Sequence, residues 1–236
     1  MTLEAKGRAR ATVTRRLCPI AGFCKYAVEE ELLEHSPAAH VRRPRLDYES
    51  HATALDRNEL GAILVAAGLG PPAEHALISL LALNGLRVSE AIGADIEHLG
   101  LECGHRTLVI TRKGGKVVTI PLAPRTARAI DLLTGERTER PLFLAVDGRR
   151  LDRHGAARIV HRVTRRAGIA KHVSPHTLRH AFITAALDAG VPLRDVQEAA
   201  SHADPRTTMR YAITGTHQPR PPRHLHRREL RRRSHR

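Results

Sequence analysis

Apolar residues at Val13, Leu17, Ile20, Cys24 and Ala27 recur every three or four positions, the spacing of one helical face. Pro19 falls inside that stripe and predicts a kink or break, at a cost of roughly 3 kcal/mol if the helix is continuous. A second short helix is expected over AVEEELLEH, ending near Ser36 and Pro37. The following VRRPRLDYES, residues 41–50, is polar, basic and broken by Pro44, and reads as a linker. Asp56 and Glu59 then have capping-box spacing ahead of an apolar helix, ELGAILVAA. Gly68 to Pro72 breaks the chain, and a largely apolar helix, AEHALISLLALN, runs up to Gly85. LVITRKGGKVVTIPL, residues 108–122, is two β-rich runs around Lys113-Gly114-Gly115, a hairpin signal. From Pro124 onward helical patterns dominate, interrupted by the strand-like PLFLAV. The pattern predicts a mainly α fold with a small antiparallel β-sheet, without βαβ alternation or internal repeat.

Beyond Thr216 the periodicity stops, and HQPRPPRHLHRRELRRRSHR offers too little apolar surface to offset the entropy of ordering it. Residues 216–236 are therefore expected to be a basic disordered tail. From His217 to Arg236 there are eight Arg against one Glu, so +7 of the chain's +15 sits in that tail. The other +8 is spread over the body. Charge of this size favours a polyanionic partner, most simply nucleic acid. Cys18, Cys24 and Cys103 form no C-x-x-C pair, so neither a disulfide framework nor a zinc site is expected. MTLEAKGRAR has no apolar core of the kind a signal peptide needs, and ALISLLAL at 76–83 is too short to span a bilayer. These features predict a cytoplasmic protein with no membrane partner. The 236 residues suffice for one good-sized domain plus a smaller one or arms.

Cutting a phosphodiester without a metal needs a nucleophile, cations on the non-bridging oxygens, a base and an acid. NGLRVSEA places Arg87 just after a helix-ending Gly85, at a turn. RKGG places Lys113 at a hairpin tip. SPHTLRHAF sets His176 and Arg179 three apart near a helix start, on one face. SHADPRTTMRY then carries His202 and, nine residues on, Tyr211, one of only three tyrosines. Taken singly, each is most often a solvated charge or a packing residue, and His180 beside Arg179 is as ordinary a core histidine as any. The order of the whole set is what distinguishes it.

That order resembles the tyrosine recombinase, or phage integrase, family. The resemblance runs from about residue 8 to 215. It rests on G-L-R-x-S-E at 85–90, the hairpin lysine, H-x-L-R-H at 176–180 and the histidine-then-tyrosine box at 201–211. It implies that Tyr211 attacks the scissile phosphate to give a 3′-phosphotyrosyl link and a free 5′-hydroxyl. Arg87 and Arg179 would clamp the non-bridging oxygens, Lys113 would protonate the leaving 5′-oxygen, His176 would serve as base, and His202 would hydrogen-bond the phosphate. Lys116 is the rival to Lys113, which is preferred by its offset from Pro121-Leu122. No metal or cofactor is implied. The partners implied are double-stranded DNA and a homotetramer on paired sites.

The resemblance divides the chain into 1–48, a remnant of the helical core-binding domain with its linker, a catalytic domain at 53–215, and the tail at 216–236. Relatives usually carry a longer N-terminal domain and an apolar element after the tyrosine, so both ends depart from the family. Two functions follow: a site-specific recombinase, or a non-recombining DNA-binding remnant of a mobile element. Type IB topoisomerase-like relaxation shares the chemistry but would lack site preference. Permissible codons for residues 219–236, read one nucleotide later, spell an apolar segment similar to how relatives often end. An out-of-frame origin for the tail thus predicts codons compatible with that shifted reading. Sequencing the coding DNA checks this, and a single incompatible codon ends the idea.

Overall fold

A computed structural model describes residues 7, 9–42, 44, 54–112 and 114–200. Lys113, most of the expected linker, and the whole segment from Ser201, including His202, Tyr211 and the tail, lie outside the described residues. The chain divides into two compact units, Met1–Ser50 and His51–Arg236.

In the first unit, helix α1 spans Arg10–Glu29 and runs through Pro19 without interruption. The expected break does not occur. Proline removes the N–H that would have bonded the Arg15 carbonyl, but both residues are exposed, so water can take the place of that donor. The second helix expected over 27–35 is also absent, because α1 ends instead in a left-handed reversal at Glu31, φ 57°. Glu31 N–H bonds the Val28 carbonyl at 3.1 Å and Leu32 N–H the Ala27 carbonyl at 2.8 Å, the paired bonds of a Schellman cap.

The second unit is mainly helical with one three-stranded antiparallel sheet. Helix α2, Arg57–Gly68, starts with the expected capping box: Asp56 accepts from Glu59 N–H at 2.8 Å, and Glu59 accepts from Asp56 N–H at 2.9 Å. Helix α3, Pro72–Ala82, is largely apolar and buried from Ala76 onward, with Ala76, Leu77, Ile78, Leu80 and Leu81 at zero exposure. It is the axis of the core, packed by α2, by α5 (Pro124–Thr134), by α6 (Arg153–Arg166) and by α7 (Pro175–Asp188). Between α3 and α5 come the short α4, Val88–Ile92, a single 3-10 turn at Ile96–His98, and strands β1 (Leu99–Glu102), β2 (His105–Thr111) and β3 (Val117–Pro121).

β2 and β3 form the expected hairpin, with Thr111 opposite Val117. β1 extends the sheet through a two-residue reversal at Cys103 and Gly104, φ 49° and 78°, the paired positive values that let a tight hairpin follow the strand twist. PLFLAV is not a strand but a buried connector making isolated bridges at Asp95–Pro141 and Leu144–Arg150. Leu142 and Phe143 are fully enclosed, which is what its hydrophobicity reflects.

Several polar groups are buried in this unit, and one of them ties three helices together. Glu74 is 2% exposed, and its carboxylate bonds Arg162 at 2.9 Å and Arg166 at 2.6 Å. Arg166 also donates to the Ala66 carbonyl at 2.8 Å, so one arginine cross-ties α2, α3 and α6. Helix α8, Leu193–Ala199, closes the described chain. Its Val196 and Ala200 pack with Ile183, Phe182, Ala186 and Leu187 of α7 in a small cluster of their own.

Candidate active site

The chain leaves α3 at Leu83 and turns on Gly85, φ +62°. A Cβ there would lie 2.3 Å from the Phe182 ring, so Gly85 is required both by its backbone angle and by the approach of α7. Arg87 follows as the N-cap of α4, and Glu90 holds it at two points. The Arg87 backbone N–H donates to Glu90 Oε2 at 2.8 Å, and its Nη1 to Oε1 at 2.8 Å. The Glu90 side chain is 4% exposed and that of Arg87 31%, so the carboxylate is buried while the arginine side chain stays partly accessible.

Helix α7 begins with Pro175 in its first turn, where a missing N–H costs nothing, and Ser174 accepts from Thr177 N–H at 3.2 Å. That start sets the phase of His176 and Arg179, one turn apart. Arg179 is 3% exposed. Its Nη1 donates to the Gly85 carbonyl and its Nη2 to the Ala200 carbonyl. A single side chain thus joins the turn before Arg87 to the residue after α8.

His176 keeps an exposed surface, yet burial of the rest of its ring is the largest influence holding its pKa below the ordinary 6.5. The Arg179 and then the Arg87 charges push it the same way. At neutral pH it is therefore an uncharged imidazole with a lone pair able to accept a proton. His180 is also lowered, first by burial and then by the His176 charge, and its Nδ1 lies 3.4 Å from Thr184 Oγ1.

Of the six residues singled out in the sequence, the structure gathers Arg87, His176 and Arg179. Lys113, His202 and Tyr211 lie outside the described residues, but their flanks are placed. Arg112 ends the first arm of the hairpin and its backbone N–H bonds the Lys116 carbonyl at 2.8 Å, while Ala200 stands two residues before His202. Two further participants take part. Glu90 belongs to the G-L-R-x-S-E motif, and a glutamate three residues after an N-cap position is itself a capping signal. The Gly85 carbonyl leaves no sequence signal as an acceptor.

A mainly helical domain edged by a three-stranded antiparallel sheet, with two arginines and a histidine drawn from separate segments, is the architecture of one class of protein. The phage integrase family matches residues 54–216. Tyrosine recombinase XerD of Oceanobacillus iheyensis is 32% identical over 220 residues, covering 89% of this chain and 73% of its own. Tyrosine recombinase XerC of Mycobacterium bovis is 33% identical over 219 residues, covering 87% and 73%. Among solved structures, the XerH site-specific recombinase bound to difH superposes with a TM-score of 0.70 at 22% identity, over 89% of this chain and 66% of that one. The integrase of mycobacterium phage Brujita gives 0.57 at 26% identity, over 87% and 71%. The chain spans about two thirds of the XerH chain. It belongs to the phage integrase family, the tyrosine recombinases.

The electrostatic account of His176 makes a prediction. Arg87→Gln removes one of the charges depressing its pKa, so the His176 titration followed by imidazole NMR should move up toward 6.5. An unchanged midpoint would show that Arg87 does not act on this ring.

Proposed function

We propose that the protein is a site-specific DNA recombinase that breaks and rejoins strands through a 3′-phosphotyrosine intermediate. The observation that carries this reading is the Arg179 bond to the Gly85 carbonyl. It brings the Arg87 turn and the His176–Arg179 helix, some 90 residues apart, to one place. The family implies a phosphate at that place, and two guanidiniums beside a neutral imidazole suit it. Arg presents a planar fork of donors to non-bridging oxygens, and its charge offsets the extra negative charge of a pentacoordinate phosphorus.

In the first step the Tyr211 phenol oxygen forms a bond to phosphorus as the bond from phosphorus to the 5′-oxygen breaks. His176 takes the phenol proton, and Lys113 donates one to the departing 5′-oxygen. Charge and atoms balance, leaving a 3′-phosphotyrosyl strand and a 5′-hydroxyl. Rejoining is the same step reversed with a 5′-hydroxyl from the other duplex, so the phosphodiester's free energy stays in the covalent link. His202 hydrogen-bonds the phosphate in both directions.

Double-stranded DNA is the partner. Support comes from the exposed basic residues of α6, where Arg158, His161 and Arg165 lie on the surface beside Arg162 and Arg166. Exchange between two duplexes calls for four active sites, hence a homotetramer on paired sites. Residues 53–215 form the catalytic domain in this reading and residues 1–48 part of the DNA-clasping helical domain. Cytoplasmic residence accompanies a DNA substrate, and among the described residues no helix is long and apolar enough to cross a membrane.

A nicked DNA substrate carrying a site from beside the gene traps the intermediate, because the cut 5′ fragment diffuses away. The parent protein should form an SDS-resistant protein–DNA adduct, and Tyr211→Phe should form none while binding DNA with similar affinity. An adduct that survives Tyr211→Phe, or salt-sensitive binding by the parent without any adduct across all candidate sites, would overturn the proposal.

A further inference from the structure

We infer that Arg112 is a positioning residue that latches the hairpin carrying Lys113 to the chain leading into His202 and Tyr211. The inference rests on the recombinase reading above for what the latch positions, while the latch itself is visible without it. Arg112 Nη1 donates to the Glu198 carbonyl at 3.3 Å and Nη2 to the Ala199 carbonyl at 3.4 Å. Arg179 Nη2 takes the next carbonyl, that of Ala200. Three successive carbonyls at the C-terminal end of α8, which a helix cannot satisfy internally, are thus held by two guanidiniums. One comes from the helix of His176, the other from the residue adjacent to Lys113.

A contribution to stability does not explain Arg112. Both bonds are long beside the usual 2.9–3.0 Å or so, and the side chain's Nε–H is buried without an acceptor among the described residues. A buried donor left unsatisfied costs about 1–3 kcal/mol, more than two weak bonds at a surface return. What the arrangement provides is a mechanical link. The acid for the leaving oxygen and the segment bearing the nucleophile sit on elements 86 residues apart in sequence, and no apolar contact joins β2 or β3 to α8 among the clustered core residues. Through Arg112, displacement of the hairpin moves the end of α8, and an ordered α8 holds the hairpin. The two groups that must act on opposite sides of one phosphorus are therefore brought up together.

The test compares the full chain with Arg112→Gln. On the nicked substrate at saturating DNA, adduct formation should slow by about tenfold to a hundredfold, the scale of a slight misplacement of reacting groups, with DNA affinity unchanged within about twofold. A bridging 5′-sulfur leaves without needing a proton, so Lys113→Ala should recover on such a substrate. Arg112→Gln should stay slow there, because placement of the tyrosine segment is still lost. An unchanged adduct rate, full recovery on the sulfur substrate, or a loss of affinity equal to the loss of rate would overturn the inference, the last by making Arg112 a plain DNA contact.

A second readout needs no cleavage. Spin labels on Val117→Cys and Arg194→Cys, with Cys18 and Cys103 replaced by Ser, should give a narrow distance distribution that broadens on Arg112→Gln. Equal widths would refute the latch. If the parent forms no adduct while the distribution still broadens, the reaction assigned above has failed and the latch stands.

Discussion

One arginine side chain holds the candidate site in register. Arg179 is almost wholly enclosed, and its two terminal nitrogens reach carbonyls far apart in sequence, those of Gly85 and Ala200. A guanidinium can do this because its donors diverge in a rigid plane, whereas an ammonium offers one point on a flexible stem. A buried cation is tolerable only when hydrogen-bonded on several sides, and these two backbone carbonyls supply part of that. The Arg179 charge acts on His176, whose pKa it helps to lower. Glu90 does the complementary task for Arg87, its buried carboxylate accepting once from the Arg87 backbone N–H and once from the guanidinium.

The consequence for His176 is electrostatic. Partial burial and two neighbouring arginines all oppose a second positive charge on the imidazole, so the ring is kept neutral by the same cations that would meet the phosphate. Binding of a phosphate diester would offset some of that field, so the base should become stronger when substrate arrives than it is in the free protein. In the proposed reaction Arg179 and Arg87 would act twice, once on the phosphate and once on the imidazole whose pKa they lower.

Much of this was legible in the sequence because it is encoded locally. The capping box at Asp56–Glu59, the glycine turn before Arg87, the Ser174–Pro175 helix start that phases His176 with Arg179, and the Lys113-Gly114-Gly115 reversal are all written within four or five residues. What could not be read depends on surroundings. Pro19 forces a break only where the freed carbonyl is shut off from solvent, and Arg15 and Pro19 are both exposed. PLFLAV has the composition of a strand but no neighbour with which to pair continuously, so it became a buried connector. β1 leaves no clear mark in the sequence, because Cys-Gly is not one of the Asn-Gly or Asp-Gly pairs that signal a tight hairpin. Glu74, Glu90 and Arg112 look like ordinary surface charges in one dimension, and their partners lie 88, 3 and 86 residues away. Only the second of these distances is one that a sequence pattern can show.

The claim on which the rest depends is that Arg179 ties the Gly85 turn to the end of α8. Amide hydrogen exchange on Arg179→Lys tests it most directly, since lysine keeps the charge but cannot reach both carbonyls. Exchange should quicken together in residues 85–92 and 193–200, while α3 at 72–82 stays as protected as in the parent. Unchanged exchange in those two segments, or equal loosening throughout α3, would contradict the account.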